Sequence, residues 1–187
     1  MTPRRRVRSR RRRLAHTRKR GGYYGGGEAL RAYLRHNDTC HCVMIRKRAY
    51  LEVGGYRPEM TTAEDWLLWV EMLMRGWGYV FVEDRVAEMR KYDDRWELMT
   101  RRRQRFVASM EYMEGHLGRL LEEVVLPEGC TEEEVMAGFR ATAAKLCRAS
   151  GMDEGDAATR RLLFGTAVRY APTVGNRLAA ALLGPLP

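Results

Sequence analysis

The stretch that decides the reading is Val53-Gly54-Gly55-Tyr56-Arg57, followed four residues later by Thr62-Ala63-Glu64-Asp65-Trp66-Leu67-Leu68-Trp69. A double glycine marks a turn. Thr61 and Glu64 have capping-box spacing, in which each side chain satisfies a free backbone N–H at a helix start. Gly76 supplies the matching stop. A helix from about residue 62 to 75 is therefore expected, with Glu64 and Asp65 in its first turn, where the helix dipole favours negative charge. That electrostatic preference is by itself sufficient reason for acids at this position, and tryptophans in a helix are usually core. One geometric feature goes further. Asp65, Leu68, Trp69 and Met72 stand at i, i+3, i+4 and i+7, on one helix face. A carboxylate on the same stripe as an indole, at the open end of a helix, suits a general base beside a stacking platform.

Outward from this stretch, residues 40–46 read as a strand. Val43 and Ile45 lie on one face, Cys42 and Met44 on the other, the two-sided apolar pattern of a strand buried between layers. Residues 47–53 form a helical turn closed by Gly54-Gly55, and residues 79–82 a second strand, with a shorter one at 85–90. A short helix starts near Glu28, with Leu30, Tyr33 and Leu34 on one side. Beyond Asp94 the period changes. Phe106, Met110, Met113, Leu117, Leu120 and Val124 recur at steps of three and four, which predicts one long amphipathic helix over 96–125. Thr131 caps a further helix to about Ser150, and residues 156–183 hold two shorter helices broken near Pro172. Residues 1–27, rich in Arg and Gly, have the composition of a disordered arm. The division expected is thus 1–27 arm, 28–94 mixed α/β, 95–187 helical extension.

Charge is segregated. Residues 1–20 hold ten arginines and Lys19 with no acid, whereas the rest of the chain holds 23 basic and 24 acidic side chains. The excess lies in one arm, which would bind polyanions, nucleic acid or acidic membrane, without sequence preference. Arg outnumbers Lys 30 to 4, so a GC-rich coding sequence explains the same run without any function. Cys40-His41-Cys42 has too short a gap for a structural zinc corner, and Cys130 and Cys147 are far apart, so free thiols in a reducing cytoplasm are expected and no metal site. No run of about 18 apolar residues occurs, so no spanning helix is expected. The apolar, Ala-rich segment 178–186 packs on the body or touches a membrane surface.

Residues 30–91 resemble the C-terminal part of the catalytic domain of family-2 glycosyltransferases, which have the GT-A fold. The resemblance is carried by Val43-Met44-Ile45-Arg46, by the Val53-Gly54-Gly55-Tyr56 turn and by the acidic helix Glu64-Asp65-Trp66-Leu67-Leu68-Trp69. Gly76, residues 79–82 and Val86-Ala87-Glu88-Met89-Arg90 complete it. It implies an α/β chain: an incomplete GT-A-like half-domain followed by the helical extension. It also implies hexosyl transfer from a nucleotide sugar to a hydroxyl acceptor, as in cell-envelope polysaccharide assembly, with Asp65 as base. Glu64 and Trp66 would shape the acceptor side, with His41 and Arg46 on the substrate side of the preceding strand. The implied setting is the cytoplasm or the inner face of the membrane.

Three positions depart from the family pattern: Leu67 replaces a second Asp, Glu71 an Arg, and Tyr92 a His that binds metal in some members. The Asp-x-Asp sequence that holds Mg²⁺ or Mn²⁺ on the donor pyrophosphate is absent, and so are the strands that should precede residue 30. The expectation is an acceptor-side half that does not transfer sugar alone. It is either a decayed or truncated enzyme or a subunit completed by a separate donor-binding half. The competing expectation is a non-enzymatic polyanion-binding protein working through the arm.

Overall fold

The computed structural model describes residues 21–36, 43–83 and 96–183. Its elements are β1 (Gly22–Tyr24), α1 (Gly26–Arg35), α2 (Lys47–Glu52), α3 (Glu64–Met74), β2 (Tyr79–Phe81), α4 (Trp96–Glu123), α5 (Glu132–Met152), α6 (Ala157–Tyr170) and α7 (Val174–Leu183).

α3 organises the molecule. Every residue from Asp65 to Met74 is buried. A helix enclosed on all sides must be covered on all sides, and its cover is helical. Leu30, Tyr33 and Leu34 of α1 and Phe139 of α5 belong to the same core as Trp66, Leu67 and Leu68. Trp66 stacks on Phe139 at 5.7 Å, and Phe139 meets Tyr170 of α6 edge-on at 5.7 Å. The Trp66 indole N–H donates to the Tyr33 carbonyl at 2.9 Å. One aromatic chain therefore runs from α3 through α5 to α6. The core crosses the expected boundary at residues 94/95 without a break.

The expected α/β half-domain is overturned. Among the described residues there are seven helices and a single two-stranded antiparallel sheet. Residues 43–46 belong to no strand. Met44 is fully exposed and Val43 is exposed as well, while Ile45 packs partly buried against the core, so the run does not bury two faces as an inter-layer strand would. Among the described residues no strand pairs with it, and α3 is covered instead by α1, α4 and α5.

The sheet lies elsewhere and corrects the extent of the arm. Gly22–Tyr24 pairs with Tyr79–Phe81, with Tyr24 opposite Tyr79. The rings of Tyr24 and Tyr79 stack at 5.3 Å, and Tyr33 of α1 meets Tyr79 edge-on at 5.1 Å. Tyr24, packed against the core, supplies the apolar area that orders this segment despite its composition. The expected strand at 85–90 lies outside the described residues.

The helical second half follows its periodicity. Met110, Met113, Leu117 and Leu120 are buried along α4. Thr131 and Glu134 form a complete capping box at the start of α5. α6 and α7 are separated by Ala171-Pro172-Thr173.

Candidate functional site: an acid and tyrosine face at the start of α3

The turn before α3 is shaped by Tyr50. The Gly55 N–H donates to the Tyr50 carbonyl at 2.9 Å, and the Tyr56 N–H donates to the Tyr50 hydroxyl at 3.2 Å. Gly55 has φ +72°, and a Cβ there would fall 2.6 Å from the Tyr50 ring. Only glycine adopts that conformation freely and lets the turn lie on the ring. Tyr56 then projects outward, 45% exposed, with its ring edge-on to Tyr50 at 5.9 Å.

This turn brings Tyr56 within electrostatic reach of the two acids of α3. Partial burial pushes the Tyr56 phenol above its ordinary range, and the negative charges of Asp65 and Glu64 push it further. Both carboxylates are therefore within electrostatic reach of the hydroxyl. Asp65 is buried and Glu64 half-buried; Asp65 Oδ1 accepts the Trp66 N–H at 2.8 Å. The expected capping box does not form. The residue at the helix start is Ala63, in the left-handed region at φ 57° and with no side-chain cap, while the Thr62 hydroxyl donates to Ser109 of α4 at 3.2 Å. Ala63 is the one non-glycine residue with positive φ among those described. Backbone strain of this kind persists only where the surroundings fix it.

Arg57 anchors the face from behind. Its guanidinium donates to the Val53 carbonyl at 2.7 Å and to both oxygens of Glu71, at 3.0 and 2.9 Å. Glu71 is buried at the centre of α3 and also meets Arg75 at 3.6 Å and His116 of α4 at 3.3 Å. Burial alone would raise the Glu71 carboxyl. The His116 hydrogen bond and the charges of Arg57 and Arg75 outweigh it and hold the group below the usual glutamate range. The Gly-Gly-Tyr turn, α3 and α4 are thus joined through one carboxylate.

The sequence candidates separate accordingly. Asp65 and Glu64 lie together at the face. Trp66 does not: its ring is wholly buried against Phe139, and the aromatic beside the acids is Tyr56. Arg46 precedes α2, exposed, and its carbonyl accepts the Tyr50 N–H at 3.1 Å. His41, Cys40 and Cys42 lie outside the described residues. Burial pushes the Cys147 thiol up to about 12, which makes it inert. Glu71, Arg57 and His116 escape sequence reasoning because their pairing spans up to 45 residues; Tyr56 was detectable as an aromatic projecting from a glycine turn just before two acids.

The described residues do not gather three or more metal-ligating side chains, and no Asp-x-Asp occurs in the sequence. These residues do not fit the divalent cation that the family resemblance implies. No helix among them is long and apolar enough to cross a membrane. No protein-family model, no curated protein and no solved structure matches the chain. The resemblance to family-2 glycosyltransferases stands on the residues of 30–91 alone.

Proposed function

We propose that the face formed by Tyr56, Glu64 and Asp65 binds a hydroxylic, saccharide-like acceptor and that Asp65 serves as its base in glycosyl transfer. The observation that carries this reading is a half-exposed tyrosine ring within electrostatic reach of two carboxylates. A sugar presents an apolar C–H face that stacks on an aromatic ring and hydroxyls that donate to carboxylates. In the reaction, an acceptor hydroxyl attacks the anomeric carbon of an activated sugar. The new C–O bond forms as the bond to the nucleotide phosphate breaks, and the hydroxyl proton passes to Asp65. Glu64 orients the acceptor, and Arg57, fixed by Glu71, positions Tyr56.

The proposal does not require a GT-A sheet. It does require that the groups holding the donor pyrophosphate come from outside this face, because a leaving nucleotide needs charge stabilisation that the face lacks. Such an acceptor-side part works where nucleotide sugars are found, in the cytoplasm.

Saturation-transfer NMR of the full chain against a panel of neutral mono- and disaccharides tests the acceptor face. At least one sugar is expected to bind, and Tyr56→Ala to weaken it roughly tenfold, the worth of one stacking contact. Asp65→Asn should weaken it less, since an amide still accepts a hydrogen bond. Equal binding by wild type and Tyr56→Ala, or no binding by any sugar, would sink the proposal.

A further inference from the structure

α7 is oriented against its own composition. Its polar residue points inward: Asn176 is buried and donates through Nδ2 to the Ala171 carbonyl at 2.7 Å and the Ala167 carbonyl at 3.2 Å, at the C-terminal end of α6. Thr173 fixes the start of the helix by accepting the Asn176 N–H at 3.2 Å. These bonds set the rotation of α7. Its apolar residues Val174, Leu178 and Leu182 consequently face outward, 74%, 54% and 77% exposed. They stand at i, i+4 and i+8 and form one continuous stripe.

The stripe has a basic border. Arg177 is exposed on one side of it. On the other side, the Arg148 guanidinium of α5 lies against Gly175; a Cβ on that glycine would fall 3.3 Å from it. Met152, one turn further along α5, is exposed too. From residue 157 to 187 the sequence holds four arginines and no Asp or Glu. Two of them are paired within the fold: Arg169 with Glu111 at 2.8 Å, and Arg160 with the Glu154 carbonyl at 2.8 Å. An acid-free apolar stripe flanked by guanidinium groups has the charge and polarity of a helix lying in an anionic lipid interface.

We propose that α7 is an interfacial helix that seats Val174, Leu178 and Leu182 on the surface of an anionic bilayer, with Arg148 and Arg177 at the headgroups. The inference does not depend on the saccharide face. It is also separate from the N-terminal arm, whose attraction to lipid is purely electrostatic and is lost when salt screens it.

Flotation of the full chain with vesicles of phosphatidylcholine containing one third phosphatidylglycerol tests the proposal. Phosphatidylcholine vesicles serve as the neutral control. In ~0.5 M salt, where the Debye length is only a few ångströms, the arm's attraction is screened and apolar insertion persists. There the Leu178→Glu/Leu182→Glu variant is expected to bind roughly tenfold or more weakly than wild type. At low salt, Arg148→Gln and Arg177→Gln each cost roughly fivefold. All these positions are exposed, so thermal melts should match wild type. Equal flotation of the leucine variant, or no flotation of wild type with anionic vesicles, overturns the proposal. So does a lipid-free dimer of wild type that the leucine variant dissolves, since the stripe would then belong to a second copy.

Discussion

Trp66→Ala is expected to destabilise the protein by about 4 kcal/mol, in the range for an aromatic deleted from a core. The Trp66 ring is wholly buried, stacks on Phe139 and donates its N–H to the Tyr33 carbonyl. The alanine variant loses the buried area, opens a cavity between α3 and α5, and leaves the Tyr33 carbonyl without that donor. Trp66→Phe keeps most of the packing and loses the donor, so it should cost about 1–2 kcal/mol. Urea denaturation followed by circular dichroism reads both. An acceptor-shaping Trp66 predicts the opposite pattern: a stability close to wild type and a specific loss of saccharide binding.

Glu71→Gln is expected to cost about 3 kcal/mol, the lower end for breaking a buried ion pair. Glu71 is buried, whereas Arg57 and Arg75 keep 21% and 28% of their side-chain surface, and that contact with water moderates the loss. The neutral amide leaves both guanidinium groups without the carboxylate charge that they share. The effect depends on pH in a defined direction. The Glu71 carboxyl in the folded protein lies below its ordinary value of 4.5, so the folded state binds this proton less readily than the unfolded chain. Its contribution is complete above the ordinary glutamate range and is lost as pH falls through the depressed folded value. Wild type and Glu71→Gln should therefore differ most at neutral pH and converge in acid. Because Arg57 follows Tyr56 directly, the variant should also loosen the saccharide face, while the reverse does not hold for Tyr56→Ala.

The long helix α4 is legible in the sequence because it buries one stripe, in which Met110, Met113, Leu117 and Leu120 repeat without interruption. The capping box at Thr131 is legible because both of its bonds join residues three apart. At the start of α3 a contact distant in sequence competes. Thr62 is drawn to Ser109 across 47 residues, Ala63 takes the left-handed turn, and the local capping pattern loses. The strand expected at 40–46 fails differently. Alternation fixes which faces are apolar, but a strand needs a partner, and no local pattern states whether one is there. Tyr24 illustrates the converse, since the ring it stacks on, Tyr79, lies far along the chain.

Half of the proposed face is legible in the sequence: the glycine turn and the helix start single out Asp65 and Glu64. Trp66 was not assignable from adjacency alone, because successive helix residues are turned by about 100°. Trp66 therefore points away from its neighbour Asp65, here into the core. The ring that accompanies the acids comes instead from Tyr56, eight residues earlier, through the turn held by Gly55 and Tyr50. Glu71, which replaces an arginine of the family pattern, is the hub that ties this turn to α4.

The central claim is that Tyr56 and the two carboxylates share one face. Residue-resolved NMR titration of isotope-labelled tyrosines tests it directly. In wild type, Tyr56 is expected to ionise above the ordinary tyrosine value of 10.0. In Glu64→Gln/Asp65→Asn its ionisation should move down toward that value, since two negative charges that oppose the phenolate are gone. Partial burial keeps it from returning completely. A Tyr56 titration unchanged by the double substitution would place the acids away from the ring and contradict the account.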